Sequence, residues 1–385
     1  MTSSLTPEQA DKAKLDGLAK FLKKATKDHE TAVGTLDAAS HVDVAAIPTG
    51  ALALDHATAI GGLPRGRVTE LYGVPGAGKS TLALEAARNC QEAGGIVGFI
   101  DAENALNRSL TESIGIDESR FVIAQPDTGE QGIEIAKDMI ESDVFDMVII
   151  DSAAALVPAA ELNAEVAQQH MGLQARLLSK GMRVLTHATA VHNVALVVIN
   201  QLRTNLQKYG APMESTGGAA LKYASSMRIE VRTSPSKAIK KGADIIGAEV
   251  TATVKKNKFA SPSKPVEFKI IHGKGVDRAD GVLVVALELG VVERSGNTYN
   301  VLKRGEGLQD TVVKLGVGRD KANAALMADT DLFRDVEAAV KVLMSGEPHP
   351  AAEDEPGGAS DSNEQAPPKS PAPEANEDDI FGLGD

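Results

Sequence analysis

The 385-residue chain has no tryptophan, one cysteine and only 3% aromatic residues. A single cysteine, Cys90, excludes a disulfide framework and a metal site built from several cysteines, and it indicates a reducing compartment. The start of the chain has no basic segment followed by an apolar run. No stretch approaches the roughly 18 consecutive apolar residues of a membrane helix. These absences predict a cytoplasmic protein that does not associate with a membrane.

Acidic residues outnumber basic ones, but they are unevenly distributed. The formal net charge is −13, and residues 346–385 alone carry eleven acidic side chains and one lysine. The remaining 345 residues are therefore only about three charges negative, which leaves room for basic surfaces. The acidic balance of the whole chain does not exclude nucleic acid as a partner, and the 43% hydrophobic content supports a sizeable core.

A glycine-rich segment is the most informative motif. It consists of Gly73, Val74, Pro75, Gly76, Ala77, Gly78, Lys79, Ser80 and Thr81. Residues 67–72 before it are predicted to form a strand and residues 82–88 after it a helix, which distinguishes a phosphate-binding loop from a glycine-rich turn. In such a loop Lys79 reaches the β- and γ-phosphates and Ser80 ligates Mg²⁺. The motif predicts binding of a nucleoside triphosphate.

Apolar runs that alternate with helical segments predict an α/β fold with a mostly parallel twisted sheet. Four runs have the continuous apolar character of strands buried on both faces, at residues 96–101, 121–124, 147–151 and 194–200. Residues 226–232 and 249–255 alternate more, which indicates antiparallel or edge strands. An N-terminal helix from Thr6 to about Lys27 has one apolar stripe. The pattern leaves open whether this stripe packs on its own chain or on a neighbouring subunit.

Polar residues stand at the ends of several predicted strands, where an open parallel sheet forms its ligand crevice. Asp151 closes one strand and is predicted to complete the Mg²⁺ site, with helix capping as its alternative role. Glu103 is favoured over Asp101 as the base that orients the attacking water. Gln201 is predicted to hydrogen-bond the γ-phosphate.

Several motifs together resemble those of bacterial RecA recombinases in order and spacing. They lie at residues 73–81, 99–103, 125–131, 151–156, 170–172, 200–203, 216–222 and 256–258. The resemblance extends from about Val44 to Ser345, and the N-terminal helix and acidic tail stand where that family has them. It implies a helical filament on single-stranded DNA that hydrolyses ATP with Mg²⁺, pairs the strand with homologous double-stranded DNA and exchanges strands. A repressor of the damage response is a further implied partner.

The resemblance also implies roles for individual residues in ATP hydrolysis. The implied catalytic residues are Lys79, Glu103, Gln201, Lys256 and Lys258, the last two reaching the ATP of the neighbouring subunit. Beyond the glycine-rich loop, the nucleotide contacts implied are Asp151, Asn107, Leu110 and His272. Leu110 and His272 stand where most relatives place tyrosines, and Asn107 replaces an acid. These departures leave the nucleotide preference open.

Two segments, 162–172 and 202–215, match the family's DNA-binding loops. The residues implied to contact single-stranded DNA are Met171, Gly172, Arg176, Ser179, Arg183, Arg203, Leu206, Lys208, Tyr209, Gly217 and Gly218. Met171 and Leu206 would separate bases, and the cations and glycines would contact phosphates. Without the resemblance, Met171 fits a core position better and Arg176 a solvated helix face. Thr251 and Thr253 replace the cations expected at an outer DNA site, so weaker capture of a second DNA is expected.

The chain is divided accordingly into four segments. Residues 1–43 are predicted as an N-terminal helix and polymerisation segment, and 44–274 as a RecA-type P-loop ATPase core. Residues 275–345 are predicted as a small α/β C-terminal domain, and 346–385 as a disordered acidic tail. Alternative functions are a hexameric DNA motor or helicase, a filament-forming regulator that mainly triggers repressor self-cleavage, and a P-loop kinase.

Overall fold

The computed structural model describes residues 7–29, 33, 35, 44–164, 172–204, 213–215, 218–261, 264–303 and 311–345. They all lie in one compact unit that extends to Glu347. The Thr6 cap and the acidic tail predicted for residues 346–385 lie outside the described residues. The α/β fold is confirmed by a large, mostly parallel sheet flanked by helices and a second, smaller sheet.

Helices and strands alternate through most of the described chain. The α-helices are α1 (Pro7–His29), α2 (Leu52–Thr58), α3 (Lys79–Glu92), α4 (Arg108–Ile114), α5 (Gly129–Glu141), α6 (Ala159–Leu162), α7 (Leu173–His192), α8 (Ala220–Ala224), α9 (Arg278–Glu288), α10 (Arg319–Ala328) and α11 (Thr330–Ser345). The strands are β1 (Ala46–Ile47), β2 (Leu63–Pro64), β3 (Val68–Gly73), β4 (Val97–Asp101), β5 (Phe121–Ala124), β6 (Met147–Asp151), β7 (Ala195–Thr204), β8 (Met213–Ser215), β9 (Met227–Lys241), β10 (Asp244–Asn257), β11 (Val266–Ile271), β12 (Gly275–Val276), β13 (Val292–Ser295), β14 (Thr298–Lys303) and β15 (Thr311–Val317).

The central sheet has the strand order β12-β11-β10-β9-β3-β7-β6-β4-β5, with β8 paired to β7 outside this path. The strands from β9 to β5 pair in parallel, whereas β9 to β12 are antiparallel. The register places Gly73 beside Gln201 and Asp101 beside Asp151. The carboxyl ends of four neighbouring strands therefore meet at one edge, where the sequence predicts the ligand crevice.

One expectation about burial is wrong. Residues 121–124 form a strand as predicted, but among the described strands β5 is the edge of the central sheet, and it is not buried on both faces. Val122 and Ile123 are 43% and 50% exposed. An apolar run predicts a strand, but nothing within the run shows whether other elements will cover both of its faces.

Both segments predicted as antiparallel or edge strands are longer than expected. The segments predicted at residues 226–232 and 249–255 are parts of β9 and β10, which form a hairpin of 15- and 14-residue strands. Its turn includes Gly242 at φ +64°, a conformation that side chains disfavour. Bulges interrupt the pairing at three places, one of them between Val254 and Lys256.

Both faces of the central sheet are covered by helices. On one face, Leu82 of α3 packs in the same buried cluster as Ile149 of β6. On the other face, Val148 of the same strand packs in a cluster with Ile133 of α5 and Leu185 of α7. Because successive residues of β6 enter different clusters, the strand is buried on both sides and its carboxyl end is held rigidly.

A third buried cluster joins the C-terminal elements to the start of the core. Leu283 of α9, Leu326 of α10 and Val336 of α11 pack with Tyr299 of β14. Leu52 of α2 belongs to the same cluster. Residues near position 52 therefore share their apolar core with residues after position 275.

The N-terminal helix is present as α1. Its apolar stripe is exposed at Leu15 and Leu18, whereas Leu22 is half-buried and Ala25 is buried. Phe21, beside the stripe, is 60% exposed. No helix in the described residues combines the length and apolar character that crossing a membrane requires.

Candidate nucleotide site

The glycine-rich loop joins the end of β3 to the start of α3, as the sequence predicts. Gly76 and Gly78 have φ angles of +72° and +92°, which favour glycine. At Gly78 a Cβ would also meet Cδ1 of Ile270 at 2.5 Å. The loop therefore requires glycine there, both for its backbone angles and for close packing on β11. It leads into the N-terminus of a 14-residue helix, where backbone N–H groups attract anions.

Lys79 is folded back over this loop. Its Nζ donates hydrogen bonds to the carbonyl oxygens of Gly73 at 3.2 Å and Val74 at 2.8 Å, and the residue is 7% exposed. Burial lowers the pKa of Lys79, and the negative charges of Asp151 and Glu103 oppose this shift. The lysine therefore stands at the loop with carboxylates nearby, where phosphate oxygens could replace the carbonyls as its partners.

Ser80 and Asp151 bring two side-chain oxygens together beside the loop. The Ser80 hydroxyl donates to Oδ2 of Asp151 at 2.6 Å, joining the start of α3 to the end of β6. Burial raises the pKa of Asp151 to about 6, against the lowering effect of this hydrogen bond. The described residues contain no cluster of three or more His, Cys, Asp or Glu side chains that could hold a metal. A hydroxyl and one carboxylate fit Mg²⁺, which takes few protein ligands and completes its shell with phosphate and water oxygens.

Glu103 and Asp101, the two acids that follow β4, have different surroundings. Asp101 is buried, and its carboxylate accepts hydrogen bonds from the N–H groups of Ala105 at 3.0 Å and Leu106 at 3.3 Å, so it caps the turn. Glu103 is exposed, and its Oε1 accepts hydrogen bonds from the Ser152 hydroxyl and from Nε2 of Gln201 at 2.7 Å. Of the two acids after β4, Glu103 is therefore the one whose carboxylate is exposed and could contact a water molecule.

Residues expected near the nucleotide base have varied roles. Oδ1 of Asn107 caps α4 by accepting from the N–H groups of Ser109 at 3.0 Å and Leu110 at 3.4 Å. Leu110 itself is partly buried against the core. His272 is exposed in the turn between β11 and β12, and α4 packs against β12. The structure therefore places Asn107, Leu110 and His272 on adjacent elements, and the Asn107 side-chain oxygen is already engaged in capping α4.

Lys256 and Lys258 lie at the carboxyl end of β10 and just beyond it. Nζ of Lys256 donates to the carbonyl oxygens of Lys222 at 2.8 Å and Tyr223 at 3.2 Å, at the end of α8. Burial lowers the pKa of Lys256, as do the nearby cations Lys258 and Arg228. The Lys258 side chain is exposed. In the described residues neither lysine hydrogen-bonds to the glycine-rich loop of its own subunit.

The predicted DNA-binding residues are only partly described. Arg176 and Arg183 are exposed on α7, and the half-buried Ser179 accepts at its carbonyl a hydrogen bond from Nε of Arg183 at 3.2 Å. Gly172 precedes α7 with φ +84°, and Gly218 lies against Ala175. These contacts bring the N-terminus of α7 close to the turn before α8. Outside the described residues lie Met171, Leu206, Lys208, Tyr209, Gly217 and the side chain of Arg203.

The second predicted DNA loop differs from the expectation of one continuous loop. Leu202 pairs with Ser215 and Thr204 with Met213, so both ends of the segment 202–215 belong to the antiparallel β7–β8 ladder. The strand that carries Gln201 therefore continues without interruption into the segment that the sequence assigns to DNA.

A buried polar network beside the site was missed by sequence reasoning. Glu70 is 0% exposed, and its carboxylate accepts hydrogen bonds from Nδ2 of Asn200 at 2.9 Å and from Nε of Arg228. The Arg228 guanidinium also lies 4.4 Å from the centroid of the Tyr72 ring. A glutamate inside an otherwise apolar strand was the available signal, because a buried carboxylate requires a partner.

Comparison with known proteins gives a consistent result. A family model described as the RecA N-terminal domain matches residues 17–277. Protein RecA of Chloroherpeton thalassium is 42% identical over 306 residues, which cover 79% of this chain and 83% of that protein. Protein RecA of Leifsonia xyli is 39% identical over 361 residues, covering 94% and 97% of the two chains. Protein RecA of Nocardioides is 44% identical over 292 residues, covering 76% and 80%. The chain belongs to the RecA family.

Proposed function

We propose that this protein is an ATP-dependent recombinase that assembles on single-stranded DNA, pairs it with homologous double-stranded DNA and exchanges strands. The hydrogen bond between Gln201 and Glu103 carries the proposal. It links the acid best placed to activate water to the strand that continues into the predicted DNA segment. A change at that segment can therefore reach the hydrolytic site through one strand, which favours DNA-stimulated hydrolysis over an ATPase independent of DNA.

ATP hydrolysis follows from the residues at the strand edge. Lys79 would exchange its two carbonyl partners for phosphate oxygens. Ser80 and Asp151 would hold Mg²⁺, which offsets the negative charge of the phosphates. Glu103 would orient a water molecule in line with the γ-phosphate and accept its proton, while Gln201 donates to a γ-phosphate oxygen. The bond from the γ-phosphorus to the bridging oxygen breaks, and the products are ADP and phosphate.

Assembly into a filament would give roles to two groups of side chains that have none within a single subunit, the exposed apolar residues of α1 and the lysines at the end of β10. The exposed apolar side chains of Leu15 and Phe21 on α1 would pack on an adjacent subunit. Lys256 and Lys258, which do not contact the loop of their own subunit in the described residues, would reach the ATP of a neighbour. Such head-to-tail contacts between identical subunits generate open helical assemblies. The proposed setting is DNA repair and recombination in the cytoplasm.

The decisive test is ATP hydrolysis, with and without single-stranded DNA, by two inactive variants and their mixture. Lys79→Ala removes the phosphate-binding lysine but keeps Lys256, and Lys256→Ala has the reverse defect. Each alone is expected to lose DNA-stimulated hydrolysis. In an equal mixture, about one junction in four combines the intact halves, so up to about a quarter of the wild-type rate returns.

If the mixture hydrolyses ATP no faster than either variant alone, the ATP site is not completed by a residue of the neighbouring subunit. Hydrolysis that does not respond to DNA would favour a motor or another self-contained ATPase. Strand exchange is then measured with the wild-type protein. DNA-stimulated hydrolysis and normal filaments without any strand exchange would favour a filament-forming regulator.

A further inference from the structure

The unassigned group with the clearest geometry is the buried pair of Glu70 and Arg228. Glu70 lies on β3, next to the strand β9 that carries Arg228. The two strands run parallel and Arg228 is the second residue of β9, so the pair lies toward the amino ends of these strands, away from Gly73. The carboxylate is completely buried, and the arginine side chain is 12% exposed. A buried carboxylate is costly unless a cation and hydrogen bonds satisfy it, so this contact is strongly maintained.

Arg228 is also the backbone partner of Lys256. The two residues face each other in the β9–β10 ladder, at the point where a bulge separates Val254 from Lys256. The Arg228 guanidinium is held by the Glu70 carboxylate and the Tyr72 ring, so its positive charge is fixed in place. Lys256 thus lies beside a guanidinium group whose position is fixed by two contacts.

Two opposite forces act on the Lys256 ammonium group. Burial lowers its pKa, and repulsion from Lys258 and Arg228 lowers it further, whereas attraction to the Glu70 carboxylate raises it. In the described residues Lys256 has no carboxylate partner within salt-bridge distance and rests on carbonyl oxygens at the end of α8. Arg228, and not Lys256, is therefore the cation paired with the Glu70 carboxylate.

We infer that Arg228, held by Glu70, is a positioning residue that keeps Lys256 away from the buried carboxylate and so available to the ATP of the neighbouring subunit. This inference rests on the proposed function, because it requires Lys256 to act across a subunit junction. Arg228 itself acts through Lys256. Without the arginine charge, Lys256 would pair with Glu70 inside its own subunit and be lost to the neighbour.

The mixture of inactive variants tests the inference by placing Arg228→Gln on either side of the junction. The subunit that supplies Lys256 carries Lys79→Ala, and here it also receives Arg228→Gln. The added Arg228→Gln change is expected to reduce the hydrolysis restored in the mixture by about tenfold or more. The subunit that supplies the phosphate-binding loop carries Lys256→Ala. Adding Arg228→Gln to this subunit is expected to change the restored hydrolysis little. An equal loss from both sides would indicate a general effect on folding and would overturn the inference.

A second variant tests the charge argument independently. Adding Glu70→Gln to the lysine-supplying subunit removes the acid that would capture Lys256, so most of the lost hydrolysis is expected to return. Arg228→Lys, which keeps a cation beside Glu70, is expected to retain activity and also serves if Arg228→Gln does not fold. Loss with Arg228→Lys in a folded protein, or no recovery with Glu70→Gln, would overturn the inference. Failure of the unmodified mixture would instead reject the ATP site completed by a neighbouring subunit, the part of the proposed function on which this inference rests.

Discussion

Oδ2 of Asp151 lies 2.6 Å from the Ser80 hydroxyl, although 71 residues separate them in the chain. The contact joins the buried strand β6 to the first turn of α3, so the two oxygens proposed to hold Mg²⁺ are already held together by the fold. Ser80→Ala is expected to weaken binding of Mg²⁺ with a non-hydrolysable ATP analogue by about 10- to 100-fold, in the range seen for disturbed metal sites. Calorimetric titration with and without Mg²⁺ measures this effect. Ser80→Thr keeps the hydroxyl and is the matched control, and equal losses in both variants would contradict the assignment.

Glu103 and Asp101 provide a direct test of which acid performs hydrolysis. Glu103→Gln keeps an oxygen acceptor for the Ser152 hydroxyl and the Gln201 amide but cannot accept a proton. It is expected to lower the rate of DNA-stimulated hydrolysis by about 10²- to 10⁴-fold while ATP affinity changes little. Asp101→Asn is expected mainly to lower thermal stability, because the buried Asp101 carboxylate accepts the N–H groups of the turn that follows it. The reverse pattern in single-turnover rates would assign the base to Asp101.

Asp55 predicts a dependence of stability on pH. Burial raises the pKa of its carboxyl to about 7, against a lowering hydrogen bond from the Thr49 N–H group at 2.7 Å. Between the ordinary pKa of 3.8 and about 7 the folded protein holds the proton more tightly than the unfolded chain. The contribution of Asp55 to stability is therefore greatest at or below pH 4, falls by as much as about 4 kcal/mol as the pH rises to 7, and is constant above that.

Asp55→Asn removes this titration. Urea unfolding of both proteins between pH 4 and pH 8 is expected to show the variant gaining stability relative to wild type as the pH rises. The difference between the two proteins isolates Asp55 from the other titrating groups. Parallel stability curves would show that Asp55 ionises normally in the folded state.

Asp280 holds the C-terminal elements to the core. Its completely buried carboxylate accepts hydrogen bonds from Arg319 at 2.8 and 2.5 Å and lies 3.1 Å from Nζ of Lys269. Asp280→Asn leaves two cations without their acid, so the free energy of unfolding is expected to fall by about 3–5 kcal/mol. Asp320→Asn is the control, because Asp320 also approaches Lys269, at 3.6 Å, but is 95% exposed. Similar losses in both variants would contradict a special role for burial.

Binding of a second DNA is expected to depend weakly on salt. Lys237 on the β9–β10 hairpin is engaged by Glu267 and by the Thr251 hydroxyl, so its charge is already partnered. Thr251→Arg with Thr253→Lys is expected to steepen the dependence of duplex binding on log salt by about one for each added phosphate contact. Fluorescence anisotropy of filaments titrated with duplex DNA measures the slope. An unchanged slope would show that this face does not contact DNA.

The edge of the sheet that carries the glycine-rich loop, Asp151 and Gln201 could be predicted because its determinants are local. The glycines between β3 and α3 specify the loop, and an acid at the end of an apolar strand reaches the same edge as its neighbours in any parallel sheet. Asn107 was harder to interpret, because its identity is compatible with contacting a nucleotide and with capping α4, and in the structure its oxygen caps the helix.

The remaining features depend on contacts between distant segments. Glu70 and Arg228 are 158 residues apart, and only the pairing of β3 with β9 brings them together. The resting partners of Lys256 are carbonyl oxygens of α8, which carry no side-chain signature. An unpaired sheet edge is likewise a property of the whole sheet, so the apolar residues of β5 gave no indication of it.

The exposed edge of β5 has a consequence for the isolated protein in concentrated solution. Its outer backbone N–H and C=O groups can accept another strand, and Val122 and Ile123 add apolar surface that water disfavours. Association of such edges between molecules is therefore expected at high protein concentration, even without nucleotide or DNA. A lysine at position 123, of the kind that protects edge strands in other proteins, would oppose this association.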